Sequence, residues 1–298
     1  MSKTAAIRAL FVALVVLAAV CSIPFFRWTD VSWAQMNPYL QGLTFSLAAA
    51  LFCQAYLSCR LRNTLLLLIV SVLVSWAAEA IGIRWAWPFS GRYNYNPAIG
   101  PSLPGDVPLC IPVTWFMLAY TALVFTGPLS IRPRGFLSPG RLLLKTSLCA
   151  LFVMAADFAI DPLAVKYGAW SWHVQGAYFG VPLGNYAGWF IVAYTICGLA
   201  LILEKPRPRH LRQNHIALDK PFVAASISLT MICFAGSFLR VGSVLPVALS
   251  LTFMGMCWLY WLVSAGRPGV EKQIQAAAGF GPDRASAHLQ DAGHHHGI

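Results

Sequence analysis

Long apolar runs, interrupted by short polar breaks, constrain this chain more than any other feature. A helix needs about 20 mostly apolar residues to cross the hydrocarbon core of a bilayer. Such runs fall near 6–24, 39–59, 64–83, 108–128, 142–161, 185–203, 222–239 and 243–263. The breaks carry turn chemistry, including Asn37-Pro38, Pro104-Gly105, Pro139-Gly140 and Asp161-Pro162. Only 10% of the 298 residues are charged and 58% are hydrophobic, too little charge to coat a water-facing surface of this size. The pattern predicts an all-α, polytopic integral membrane helical bundle of about eight transmembrane helices. Residues 1–265 form one membrane domain, and 266–298 form a polar, disordered cytoplasmic tail.

The net charge of +11 does not point to nucleic acid, because the basic residues sit in short loops between apolar runs. With eight spans, sixteen of the 21 lysines and arginines fall on the side of the N-terminus. That bias places both termini in the cytoplasm, and a bacterial inner membrane is the expected location. The opening MSKTAAIRALFVALVVLAAV has the shape of a signal peptide. Val20 sits where cleavage before Cys21 wants a small residue, and further spans follow, so an uncleaved first helix is expected.

The eight cysteines form no CxxC pair and have no histidine at ligand spacing, so they read as small apolar filler. His294, His295 and His296 lie in the tail, and adventitious metal affinity is their reading. No GxGxxG after a strand, P-loop or HExxH is present. Neither a metal nor a cofactor is expected.

Of ten acidic residues, three lie in apolar segments: Glu79, Asp157 and Asp161. A carboxylate within the bilayer costs about 2.5–3.5 kcal/mol even on the lenient insertion scale. Asp157 and Asp161 share one face of a helix by their i,i+4 spacing. Two like charges so close disfavour double ionisation, which suits one protonated acid beside one carboxylate. Structural readings compete. Asp161 before Pro162 can end a helix, and Glu79 can pair with Arg84 or Arg92.

Two loops on the side away from the termini are rich in aromatics, including Trp85, Trp87, Phe89, Tyr93, Tyr95, Trp170, Trp172 and Tyr178. An interfacial aromatic belt explains some of them. The interleaved Gly91, Gly168, Gly176 and Gly180 instead suggest folded loops that cover a pocket. Asn185 opens the next span as an N-cap candidate, and Thr114 and Trp115 point to the same level. His173, in the second loop, reads as a solvated polar residue.

Several strings resemble the carotenoid biosynthesis membrane protein family, of the carotenoid 1,2-hydratase (bisanhydrobacterioruberin hydratase) type. They are Gly91-x-Tyr93-x-Tyr95, Val107-Pro108 followed by Trp115, Asp157-x-x-x-Asp161-Pro162, and Trp170-x-Trp172. To these adds Gly176-x-Tyr178-x-Gly180-Val181-Pro182-x-x-Asn185-x-x-Gly188-Trp189. The resemblance covers roughly 40–265 and is most specific from Asp157 to Trp189. It implies cofactor-independent addition of water to the terminal C1=C2 double bond of a ψ-end group. It also implies a lipophilic carotenoid drawn from the bilayer, surrounding membrane lipids, and other carotenoid-pathway enzymes as partners.

The residues fit that chemistry independently of the resemblance. Alkene hydration needs an acid to protonate one carbon and a base to take a proton from the captured water. Asp157 or Asp161 would be the acid, with the other carboxylate or Glu79 managing the water. Trp85, Trp87, Tyr93, Tyr95, Trp115, Trp170, Trp172, Tyr178 and Trp189 are candidate substrate contacts. Aromatic faces stabilise a cation by up to about 2 kcal/mol each when desolvated. Asn185 would hold water. A lycopene-cyclase-like protein would use the same acid and cation. A proton-coupled transporter also places carboxylates in the membrane, but an inverted repeat and broken helices are not evident.

Overall fold

The computed structural model describes residues 3–27, 33–126 and 138–204, with isolated positions between 244 and 259. The expected seventh span, most of the eighth, and the tail lie outside the described residues, as do the basic segments 127–137 and 205–220.

The described chain is mostly helical: α1 (Lys3–Arg27), α2 (Trp33–Trp85), α3 (Cys110–Phe125), α4 (Pro139–Lys166) and α5 (Leu183–Leu203). All but α3 are long and apolar enough to cross a membrane. Their leucines, such as Leu10, Leu73, Leu144 and Leu203, are exposed on the outside of the bundle, which suits lipid as the solvent.

Helix α2 has 53 residues and would be about 80 Å long if straight, well over twice the hydrocarbon thickness. It is broken at Arg60, where φ is 65° and ψ is 155°. The two halves return antiparallel, since Leu43 before the break and Glu79 after it line one cavity. The turn is thus made at exposed Arg60, Leu61 and Arg62, as the two separate apolar runs predict. Helix α1 packs on the first half through Ala18, Cys21, Leu43 and Leu47. The approach is close because Gly42 has no side chain, and a Cβ there would stand 2.7 Å from Cys21 Sγ.

The connections at one end of the bundle depart from an all-α fold. Strand β1 (Tyr93–Tyr95) pairs antiparallel with β4 (Trp170–Trp172), with Tyr93 opposite Trp172 and Tyr95 opposite Trp170. A smaller ladder joins β2 (Ser102–Leu103) to β3 (Val107–Pro108), and the 3-10 turn Pro97–Ile99 lies between β1 and β2. Strand alternation explains the first ladder: its four rings turn toward the helix ends, while Asn94 and Ser171 are exposed. The cross-strand rings meet at centroid distances of 4.8 Å (Tyr93–Trp172) and 5.6 Å (Tyr95–Trp170). Backbone bonds from His173 N to Arg92 O and from Asn96 N to Ala169 O, each 2.8 Å, extend the seam. Exposed His173 also meets Asn94 Nδ2 across it, at 2.9 Å.

Phe89 anchors the first loop between two helices. A Cβ on Gly82 of α2 or on Gly188 of α5 would stand 2.6 Å from its ring. Gly176 is equally obligatory, because a Cβ there would overlap the Val181 backbone at 1.8 Å.

Asp161-Pro162 does not end its helix. Helix α4 runs through it to Lys166. Proline has no N–H for the carbonyl four residues back, that of Phe158. The Tyr178 hydroxyl, from the second loop, donates to that carbonyl instead, at 3.1 Å.

Candidate active site

Glu79 sits in the last turns of α2, buried, and its carboxylate is surrounded by donors. The Tyr93 and Tyr95 hydroxyls both donate to Oε2, the latter at 2.8 Å. The Trp115 indole N–H donates to Oε1 at 3.2 Å. Tyr93 and Tyr95 reach one oxygen because residues two apart on a strand share a face. Burial, and after it the Glu79 carboxylate, push both phenols well above their usual range, so both remain donors. The partners of Glu79 are therefore neutral groups, and Arg84 and Arg92 are exposed. Phenols and an indole supply hydrogen bonds without the desolvation cost of a buried cation.

Asp157 and Asp161 occupy adjacent turns of α4, both buried. Asn185 ties them together, its Nδ2 donating to Asp157 Oδ2 at 2.9 Å and to Asp161 Oδ2. Asn185 is not an N-cap: α5 begins at Leu183 after Pro182, so the amide lies in the first turn. There the helix N-terminus faces the two acids, a favourable end for negative charge. The Trp170 indole and the Asp157 carboxyl lie within hydrogen-bonding reach of Asp161. The other Asp157 oxygen, Oδ1, meets no N–H or O–H donor among the described residues. Two carboxyls so placed suit one shared proton better than two charges.

Glu79 and Asp161 open on one cavity of about 200 Å³. Glu79, Asp161, Asn185, Tyr93, Tyr95, Trp115, Trp170, Trp172 and Trp189 line its end beneath the β1–β4 ladder. The rest of the wall is mostly apolar, with Leu43, Leu47 and Leu51 from α2, Leu118 from α3 and Phe152 from α4. Trp115 stacks on Trp189 at 4.4 Å, giving the polar end a broad π face.

Four residues named from sequence stand apart. Asp157 is behind Asn185 and Asp161 and is not part of the cavity wall. Trp85 and Trp87 are 65% and 59% exposed, outside the cavity. Tyr178, also outside the wall, serves the Phe158 carbonyl. Sequence reasoning did not single out Phe89 or the leucines of α2 as site residues. Phe89 carried no signal beyond its aromatic ring, whereas Leu43, Leu47 and Leu51 recur every four residues, a helical stripe.

Helices long and apolar enough to cross a membrane, around an apolar cavity lined by carboxyl groups, mark an integral membrane protein. The sequence profile of the family described as carotenoid biosynthesis protein matches residues 39–257, and the chain belongs to that family. Bisanhydrobacterioruberin hydratase of Haloarcula japonica is 35% identical over 130 residues, covering 44% of this chain and 42% of the relative. The chain thus spans less than half the length of that curated relative. No solved structure matches the chain.

Proposed function

We propose that the protein is a carotenoid hydratase, adding water to the terminal C1=C2 double bond of a ψ-end group. The observation that carries this reading is that Asp161 and Glu79, two buried carboxyl groups with different partners, open on one apolar cavity. Asp161, in its protonated form, delivers the proton to C2 and leaves a tertiary cation at C1. Asp157 shares that proton in the resting pair, and Asn185 fixes both carboxyls. The stacked Trp115 and Trp189 and the anionic Glu79 stabilise the cation. Water captures the cation, and Glu79 takes the proton that water releases. Tyr93, bonded to Glu79 and bordering the same cavity as Asp161, returns it to the aspartate pair. The sum is one alkene plus one water, and this chemistry requires no cofactor.

The same reading takes the substrate laterally from the bilayer, with eight spans, both termini in the cytoplasm, a bacterial inner membrane, and other carotenoid-pathway enzymes nearby. Co-expression with a lycopene-producing pathway, followed by pigment mass analysis, tests it. A gain of one water per modified end is expected. Unchanged lycopene overturns the reading, and a ring-closed product of unchanged mass would make the protein a cyclase using the same acid.

A further inference from the structure

A linear polyene has many trisubstituted double bonds that an acid can protonate, so something must choose among them. The cavity is shaped to make that choice. Its polar end is roofed by the β1–β4 ladder, with Tyr93 and Trp172 paired across the strands at 4.8 Å. The roof is tightly held. Phe89 beside it is 2% exposed between Gly82 and Gly188, and a Cβ on Gly91 would stand 3.1 Å from the Trp172 ring. Below Asp161 the wall that α4 supplies is apolar, through Ile160 and Ala156 down to Phe152, roughly two and a half turns or about 14 Å. Phe152 in turn stacks on Phe125 at 5.6 Å. A chain lying in this slot therefore points one end at the ladder and its remainder away from it.

We propose that the β1–β4 ladder, through Trp172 and Tyr93, is an end stop that holds the last double bond of a linear isoprenoid against Asp161 and denies that place to internal bonds. The inference rests on the hydratase reading and adds its regiochemistry. The chain advances until its terminal methyl groups meet the Trp172 and Tyr93 rings. The next double bond then lies deeper, among leucines, out of reach of the carboxyl. Removing the stop lets the chain slide further, and the same addition of one water occurs at the next bond inward. Trp172 is a specificity residue in this account, since it transfers no proton.

The test compares the full-length chain with its Trp172→Leu variant, which keeps an apolar residue in the ladder. Phe89→Leu serves if the first variant does not fold. Products from a linear polyene are located by mass fragmentation. The wild type is expected to hydrate only the terminal bond, and the variant to place a substantial share of water at the next bond. Exclusively terminal hydration by a folded variant overturns the end stop while leaving the hydratase reading intact. Absence of hydration by the wild type overturns the hydratase reading instead. A second measurement then judges the stop without catalysis. Quenching of tryptophan fluorescence reports binding of a polyene whose ends are closed into bulky rings. The variant should bind it about ten-fold more tightly than the wild type, the scale of a pocket change of a few methylenes. Equal binding overturns the end stop.

Discussion

The Tyr178 hydroxyl donates to the carbonyl of Phe158, the acceptor that Pro162 leaves without its helical partner. A loop residue thereby completes the hydrogen bonding of the helix that carries both aspartates. Burial, and then Asp157, push the Tyr178 phenol up, so it is a donor at any ordinary pH. Tyr178→Phe removes the donor and keeps the ring that packs edge-on to Phe158. It should lower stability by about 1–3 kcal/mol, the cost of an unsatisfied buried acceptor. Thermal unfolding in detergent measures this, and an unchanged midpoint would show that the bond contributes nothing.

Asp161 and Asp157 should not respond alike. Asp161 forms part of the cavity wall, whereas Asp157 lies behind it. Asp161→Asn should reduce hydration by about 100-fold or more, as for loss of a general acid. Asp157→Asn should cost less, since the first acid remains. Pigment yield at matched protein level checks the order, and the reverse order would move the acid to Asp157.

The three donors to Glu79 act on one carboxylate. Tyr93→Phe and Tyr95→Phe should each cost about 1.5–3 kcal/mol, the range for a hydrogen bond to a charged group. Their effects should couple, because both bonds end on Oε2. A double-mutant cycle on unfolding free energy, or on activity, reads the coupling. Strict additivity would mean that the two phenols do not share their acceptor.

Gly188 and Gly198 stand on the same helix in opposite circumstances. A Cβ at Gly188 meets the Phe89 ring at 2.6 Å and the Pro88 carbonyl oxygen at 2.8 Å. At Gly198 the nearest atom, Thr146 Cγ2, is 3.4 Å away, an ordinary contact. Gly188→Ala should destabilise by about 1–3 kcal/mol through overpacking. Gly198→Ala should be neutral or gain up to about 1 kcal/mol from helix propensity. Equal effects in unfolding experiments would contradict the wedge formed by Phe89.

What could be read from sequence was what depends on neighbours along the chain. The apolar runs at 39–59 and 64–83 announced the two halves of α2, and Arg60 and Arg62 announced the turn between them. The spacing of Asp157 and Asp161 announced a shared helix face. What escaped depends on residues distant in sequence. Pro162 looked like a helix stop because the donor that compensates it, Tyr178, arrives from a loop. For Glu79 an ion pair with Arg84 or Arg92 stood as an alternative to a catalytic role, because nothing local shows that Tyr93, Tyr95 and Trp115 converge on it. The two aromatic loops were recognised, but not the register that sets Tyr93 opposite Trp172. Trp85 and Trp87 are indistinguishable in sequence from the aromatic residues that line the cavity, since an aromatic residue carries no mark of the side it faces.

The pairing of Tyr93 with Trp172 also sets an order of assembly. Strand β4 leaves the ribosome roughly 80 residues after β1, a delay of about 4 to 16 s at 5–20 residues per second. Until then the first loop has no partner strand. The helix that delivers β4 is α4, which carries Asp157 and Asp161 immediately before it. The two aspartates and the strand that closes over the cavity therefore enter on one continuous stretch of chain, and the carboxyls join the nascent bundle together with their cover.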